Sequence, residues 1–110
     1  MNSSNKVVLR NSRDKQGTRY LDASLRVNGD LVIEGQDLGS GVEDVFGFYE
    51  YEWSWAIAAE DVSKLLAALG AESDVLSALR ERFSGDRAGD LKEFLDAQSI
   101  RYASWSRIGD

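Results

Sequence analysis

The sequence predicts an α+β fold, with an antiparallel sheet of about four strands and two to three helices packed on one face. Segments in which apolar and polar residues alternate fill the first half of the chain, and segments with helical periodicity fill most of the second. Strands followed by helices are typical of such a layered domain, whereas a parallel sheet requires the two to alternate. The length of 110 residues and the 43% apolar share predict one globular domain over residues 1–110.

The first strands are predicted around one clear hairpin signal. The segment KVVLR (6–10) predicts a short strand, and the polar run NSRDKQG (11–17) predicts an exposed loop. Residues 18–27 alternate and predict a half-buried strand. Asn28-Gly29 then predicts a hairpin with a type I′ turn, leading into the strand LVIEGQ (31–36).

A fourth strand, FYEYEWSWAI (48–57), alternates aromatic and acidic residues. The glycine-rich run before it, residues 37–47, predicts a loop that reaches across the sheet. Of the aromatic face, we expect Trp53, Trp55 and Ile57 to lie in the core. The segment IRYASWSRI (100–108) alternates in the same way and predicts a last strand.

Three amphipathic helices are predicted between these last two strands. In residues 58–70 the apolar residues recur at helical spacing, and Gly70 stands where a glycine would end the helix. Ser73 is the expected N-cap of the second helix, DVLSALRERF (74–83). After the short run SGDRAGD, the segment LKEFLDAQ (91–98) predicts the third helix.

Two residue types are missing from the chain, and their absence narrows the possible chemistry. Without cysteine there are no disulfides, thiolate metal sites or thiol nucleophiles. Without histidine the commonest general base and the usual transition-metal ligand are also absent. We predict no catalytic residue, no cofactor and no metal site. No stretch is apolar enough to span a membrane and the N-terminus lacks a signal-peptide pattern, so a cytoplasmic location is expected.

The net charge of −6 is unevenly distributed along the chain. Up to Arg26 there are six basic and two acidic residues, and the segment 27–63 has nine acids and no Lys or Arg. A concentrated negative field attracts basic partners and accelerates their association. Direct nucleic-acid binding is not expected, because the aromatic stripe lies inside this acidic segment and single-strand platforms pair aromatics with Lys and Arg.

Two kinds of chemistry stay open as alternatives. Glu50 and Glu52 point the same way on a strand at roughly 7 Å, a spacing compatible with a carboxylate-pair enzyme. Asp37, Glu43 and Asp44 carry oxygen ligands that suit Ca²⁺ or Mg²⁺, although they lack the spacing of an EF-hand loop.

The pattern LRVNGDLVIEGQDLGSGVEDVFGFYEYEWSWAIAAEDVSKLLAALG, followed by RERFSGDR and the terminal WSRIGD, carries a resemblance. It resembles a group of small acidic uncharacterised bacterial proteins, mainly actinobacterial, over roughly residues 25–110. That resemblance implies no catalytic residue. In type alone, the small, acidic, histidine-free chain is similar to immunity proteins of bacterial toxin systems and to phage inhibitor proteins.

The leading hypothesis is a small acidic protein-binding module, an immunity or inhibitor protein that neutralises a basic partner such as a nuclease toxin. The alternatives are a small carboxylate- or metal-dependent enzyme and a structural or oligomeric module. Acids would steer the partner and tyrosines would supply buried anchor area. The residues predicted to bind the partner are Glu34, Asp37, Glu43, Asp44, Tyr49, Glu50, Tyr51 and Glu52.

Overall fold

A computed structural model describes residues 5–14, 17–39, 49–71 and 74–109. They form an antiparallel sheet of five strands in the order β1-β2-β3-β4-β5, so that each strand pairs with its neighbours in sequence. The α+β prediction is therefore confirmed, with one strand more than the four expected. The strands are β1 (Lys6–Asp14), β2 (Gly17–Leu25), β3 (Leu31–Gly39), β4 (Tyr49–Ile57) and β5 (Ala103–Gly109).

Three α-helices and a 3₁₀ helix lie between β4 and β5. They are α1 (Ala59–Leu69), α2 (Val75–Phe83), the 3₁₀ helix Gly85–Asp90 and α3 (Leu91–Ala97). Gly70 ends α1 in the left-handed conformation, with φ of 69°, as the sequence predicts. No helix in the described part of the chain is long and apolar enough to cross a membrane.

The core lies between the helices and one face of the sheet. Trp55 and Ile57 of β4 are buried there, and Trp53 is half-buried against the same cluster, which confirms their predicted place. The fully buried side chains come from both layers and stabilise the contact between them by the hydrophobic effect. The largest are Leu31, Ile33, Ile57, Leu65, Leu79, Leu91 and Leu95.

Two predictions about the connections between strands were wrong. The polar residues 11–14 belong to β1, because they pair with β2 as far as Asp14 opposite Gly17, and the predicted loop shrinks accordingly. The run 37–47 was predicted to reach across the sheet, but the strands β3 and β4 on either side of it are neighbours, and residues 40–48 lie outside the described residues. The first three residues of the run belong to β3, which pairs directly with β4 from Leu31 opposite Ile57 to Gly39 opposite Tyr49.

Two predictions about local geometry were also wrong. The hairpin at Asn28-Gly29 forms, but only Gly29 has a positive φ, of 95°, whereas a type I′ turn needs it at both residues. The Gly29 N–H instead donates to the Arg26 carbonyl at 2.9 Å. The N-cap of α2 is Asp74, whose side chain accepts from the Ser77 N–H, and Ser73 lies outside the described residues.

Candidate functional site

The strand register separates the side chains of the sheet into two sets. Leu21, Ala23 and Ile33 face the helices and belong to the core. Because side chains alternate along a strand, their neighbours in sequence face the other way, where no described helix covers the sheet. Two rows cross this surface, Tyr20–Gln36–Glu52–Arg107 and Asp22–Glu34–Ser54–Trp105. We call this surface, formed by Tyr20, Asp22, Glu34, Gln36, Glu50, Glu52, Trp105 and Arg107, the open face.

A shallow depression of about 340 Å³ lies in the open face. Three carboxylates line it, from Asp22, Glu34 and Glu52, together with the aromatic residues Tyr20, Trp53 and Trp105. Trp105 is 53% exposed, a large apolar area for a surface tryptophan. The depression therefore combines negative charge with aromatic surface.

Asp22 is the buried acid of this depression, with only 3% of its surface exposed. Its Oδ2 accepts a hydrogen bond from the Tyr20 hydroxyl at 2.9 Å and lies 3.3 Å from the Lys6 ammonium. Its Oδ1 is buried without a hydrogen-bond partner in the described part of the chain. Burial and the bond to Asp22 raise the pKa of Tyr20, and the bond to Asp22 raises the pKa of Lys6.

Glu50 and Glu52, the predicted carboxylate pair, are held side by side by Gln36. The Gln36 Nε2 donates to Glu50 Oε2 at 2.9 Å and to Glu52 Oε2 at 3.3 Å. Arg107 on the neighbouring strand forms an ion pair with Glu52 Oε1 at 2.9 Å. The two acids thus act as acceptors in a network that fixes their positions. Glu34 makes no such bond to any described residue, so its charge is available to a partner.

The sheet separates the predicted partner-binding residues. Glu34, Glu50 and Glu52 share the open face, whereas Asp37 and Tyr51 face the opposite side and line a second cavity there. The predicted residues Glu43 and Asp44 lie outside the described residues, as does the side chain of Tyr49.

The enzyme alternative requires two of the predicted carboxylates in one concave pocket. In the described part of the chain, Glu52 lines the depression of the open face and Asp37 lines the cavity on the other side. Burial raises the pKa of Asp37, and the nearby Arg19 and Arg10 partly oppose the shift. No group of three metal-ligating side chains occurs among the described residues. Glu52 and Asp37 therefore lie in different cavities, and the predicted residue Glu43 lies outside the described residues.

Several residues of the depression, among them Tyr20, Asp22 and Trp105, are not in the site predicted from the sequence. Tyr20 and Asp22 alternate with apolar residues in the predicted second strand, and Trp105 alternates with serines in the last. The side of the sheet on which Tyr20, Asp22 and Trp105 lie could therefore be inferred from the sequence. Their proximity to Glu34 and Glu52 depends on strand order, which local patterns do not specify.

No protein-family model, curated protein or solved structure matches the chain. The resemblance to small acidic bacterial proteins therefore stays a prediction.

Proposed function

We propose that this chain is a small acidic protein-binding module whose open face receives a basic side chain of its partner. The observation that carries the proposal is the depression in which Asp22, Glu34 and Glu52 lie between Tyr20 and Trp105. We further propose that binding inhibits the partner, as an immunity protein neutralises a basic nuclease toxin. The inhibitory role follows from the acidic character of the chain and from its likeness in type to such proteins.

The chemistry of the depression suits an arginine or a lysine. Carboxylates accept charge-assisted hydrogen bonds from guanidinium and ammonium groups, and these bonds are stronger than neutral ones. An aromatic ring such as that of Trp105 attracts a cation over its face. Asp22 adds a buried carboxylate to the depression, and the largely exposed Lys6 ammonium 3.3 Å away offsets part of its charge.

Trp105 is the expected anchor of the interface. Tryptophan is among the residues that contribute most to binding when a partner covers them, because its burial removes a large apolar area from water. Here the exposed indole adjoins the acids rather than standing alone. A partner that covers the depression therefore gains apolar burial and charge pairing together.

The Gln36 network supports the same function. Since Gln36 and Arg107 already hold Glu50 and Glu52 in place, less side-chain entropy is lost when a partner binds. Long-range attraction by the net charge of −6 accelerates the encounter and weakens with added salt.

A pull-down with the full chain as bait tests this function. We expect the wild-type chain to retain a basic protein from a lysate of the source cells. Trp105→Ala and Glu34→Lys should each weaken its binding by about tenfold or more, measured by calorimetry with the purified partner. Glu34 is suitable for substitution because it is exposed and makes no bond that folding requires.

Glu81→Lys is the matched control, since it makes the same charge change on an exposed position of α2. It should leave the affinity within about twofold of wild type, apart from the general effect of net charge. Equal losses in Glu34→Lys and Glu81→Lys, or a partner that is acidic, would contradict the proposal. If the partner is an enzyme, its activity should fall on adding the wild-type chain and not on adding Trp105→Ala.

A further inference from the structure

A second cavity, of about 400 Å³, lies on the helix-facing side of the sheet, beyond the core. Its volume is within the range of small-ligand pockets. Residues of the sheet and of the helical layer line it together. We call it the aromatic groove and define it by Arg10, Arg19, Asp37, Tyr51, Trp53 and Lys92.

The aromatic part of the groove is a pair of rings packed against each other. The rings of Tyr51 and Trp53 are stacked, with centroids 5.2 Å apart and planes inclined by 27°. The Trp53 indole lies across Gly35, where a Cβ atom would come within 2.2 Å of Trp53 Cζ2. Because the missing side chain of Gly35 leaves room for the indole, the ring is held close to the sheet. Such a surface suits stacking by a planar ring.

A β-bulge brings Arg10 into this groove. Val8 pairs with Asp22 and Arg10 pairs with Leu21, so that Leu9 is the extra residue of β1. Leu9 is buried in the core and Arg10 lies on the same side of the sheet, next to Leu21. With regular alternation Arg10 would face the opposite side, as Val8 does. Bulges that redirect a side chain in this way occur often beside functional sites.

The groove is basic although the chain as a whole is acidic. Arg10, Arg19 and Lys92 supply three positive charges, and Asp37 supplies one negative charge. Lys92 is already paired with Asp96 at 3.1 Å. Neither Arg10 nor Arg19 makes a hydrogen bond or ion pair with a described residue, so both guanidinium groups are available. An arginine can bind a phosphate or a carboxylate with two parallel hydrogen bonds.

Asp37 adds an acceptor at the centre of the groove. The register places it between Arg19 on β2 and Tyr51 on β4. It is half-buried, and the desolvation that raises its pKa is opposed by the two arginines. A carboxyl group beside an aromatic surface can accept an N–H or O–H of a ring that stacks there.

We propose that the aromatic groove binds a small ligand in which a planar ring carries an anionic group, such as a nucleoside monophosphate or an aromatic carboxylate. The ring stacks on Tyr51 and Trp53, the anion binds Arg10 and Arg19, and Asp37 accepts a hydrogen bond from the ring. The groove and the depression of the open face lie on opposite sides of the sheet, and Tyr20 and Trp53 line both.

Calorimetric titration of the full chain tests this site. The ligands are AMP, adenosine, inorganic phosphate and salicylate, which separate the ring from the anion and a phosphate from a carboxylate. We expect AMP or salicylate to bind at one site, and adenosine and phosphate to bind at least about tenfold more weakly. Arg10→Ala should weaken the binding of the preferred ligand by about tenfold or more.

Arg13→Ala is the matched control, because Arg13 is an exposed arginine of the same strand and does not line the groove. It should change the affinity by less than about twofold. Absence of binding by both AMP and salicylate, or equal losses in the two arginine variants, overturns the proposal. A short single-stranded RNA that binds more than about tenfold tighter than AMP also overturns it, in favour of a strand-binding surface. Circular dichroism of each variant separates lost binding from lost folding.

Discussion

Gly35 is the residue on which the shape of the aromatic groove depends most. A glycine inside a strand often marks a close approach by another group, and here that group is the Trp53 indole. The sequence shows the glycine within LVIEGQ but not the tryptophan that needs it, since the two are opposite each other only once β3 and β4 pair. The absence of a side chain at Gly35 therefore sets the position of the Trp53 indole.

Gly35→Ala should destabilise the protein by about 1–3 kcal/mol, because the added methyl group overlaps Trp53 and forces it from its position. Urea unfolding followed by circular dichroism measures the change in free energy. Gly89→Ala is the control, since a Cβ atom there meets no other atom within 4 Å. Its free energy of unfolding should stay within about 0.5 kcal/mol of wild type. Equal values for both variants would contradict the packing described for Trp53.

The elements were predicted best where periodicity and end signals agree. The apolar spacing of α1 and the glycine that follows it gave its position and its end. Polar composition misled at residues 11–14, because β1 is an edge strand whose pairing is made by the backbone, and the polar side chains of residues 11–13 are exposed. The bulge at Leu9 left no signal in the alternation of so short an apolar segment. Its consequence for Arg10 could not be predicted.

The start of α2 depends on the Asp74 cap. The Asp74 side chain accepts from the Ser77 N–H at 3.2 Å and from the Ser77 hydroxyl at 2.7 Å, and these bonds lower the pKa of Asp74. A cap of this kind satisfies an N–H that has no partner within the helix. The sequence predicted Ser73 for this role, one residue too early, because the position of the first helical turn decides which residue caps it.

Asp74→Ala should lower the free energy of unfolding by about 1 kcal/mol at neutral pH. Because the pKa of Asp74 is lower in the folded state than in the unfolded state, this charge-dependent stabilisation is present at neutral pH. It is lost as the pH falls through the folded-state pKa, below the ordinary value of 3.8. The difference between wild type and Asp74→Ala should therefore narrow in acid. Urea unfolding at several pH values measures it, and a constant difference would contradict the ionic contribution.

For the whole molecule, the sequence predicted the sheet and the helical layer, but not which charged side chains the fold brings together. The fold class follows from alternation and helical spacing, whereas the two cavities depend on which strands are neighbours. The basic first strands and the acidic middle of the chain are separate in sequence. In the sheet, however, Arg19 lies opposite Asp37, and Asp37 lies opposite Tyr51. In the folded chain the aromatic stripe therefore has basic neighbours, although it lies in an acidic segment of the sequence.

The sheet gives the two sides opposite character. The open face has acids around Trp105, and the aromatic groove has arginines beside Tyr51 and Trp53. A basic probe should therefore bind the open face more tightly than the aromatic groove, although the whole chain has a net charge of −6. This contrast is the physical basis for placing a basic partner on the open face.

NMR titration of the isotopically labelled full chain with a short arginine-rich peptide tests that placement most directly. The largest shifts should fall on the Trp105 indole N–H and on the backbone amides of Glu34 and Glu52, while the backbone amide of Lys92 in the aromatic groove should change little. The shifts should shrink in Glu34→Lys. Largest shifts at exposed helical acids such as Glu81, or equal shifts at every acidic surface, would contradict binding at the open face.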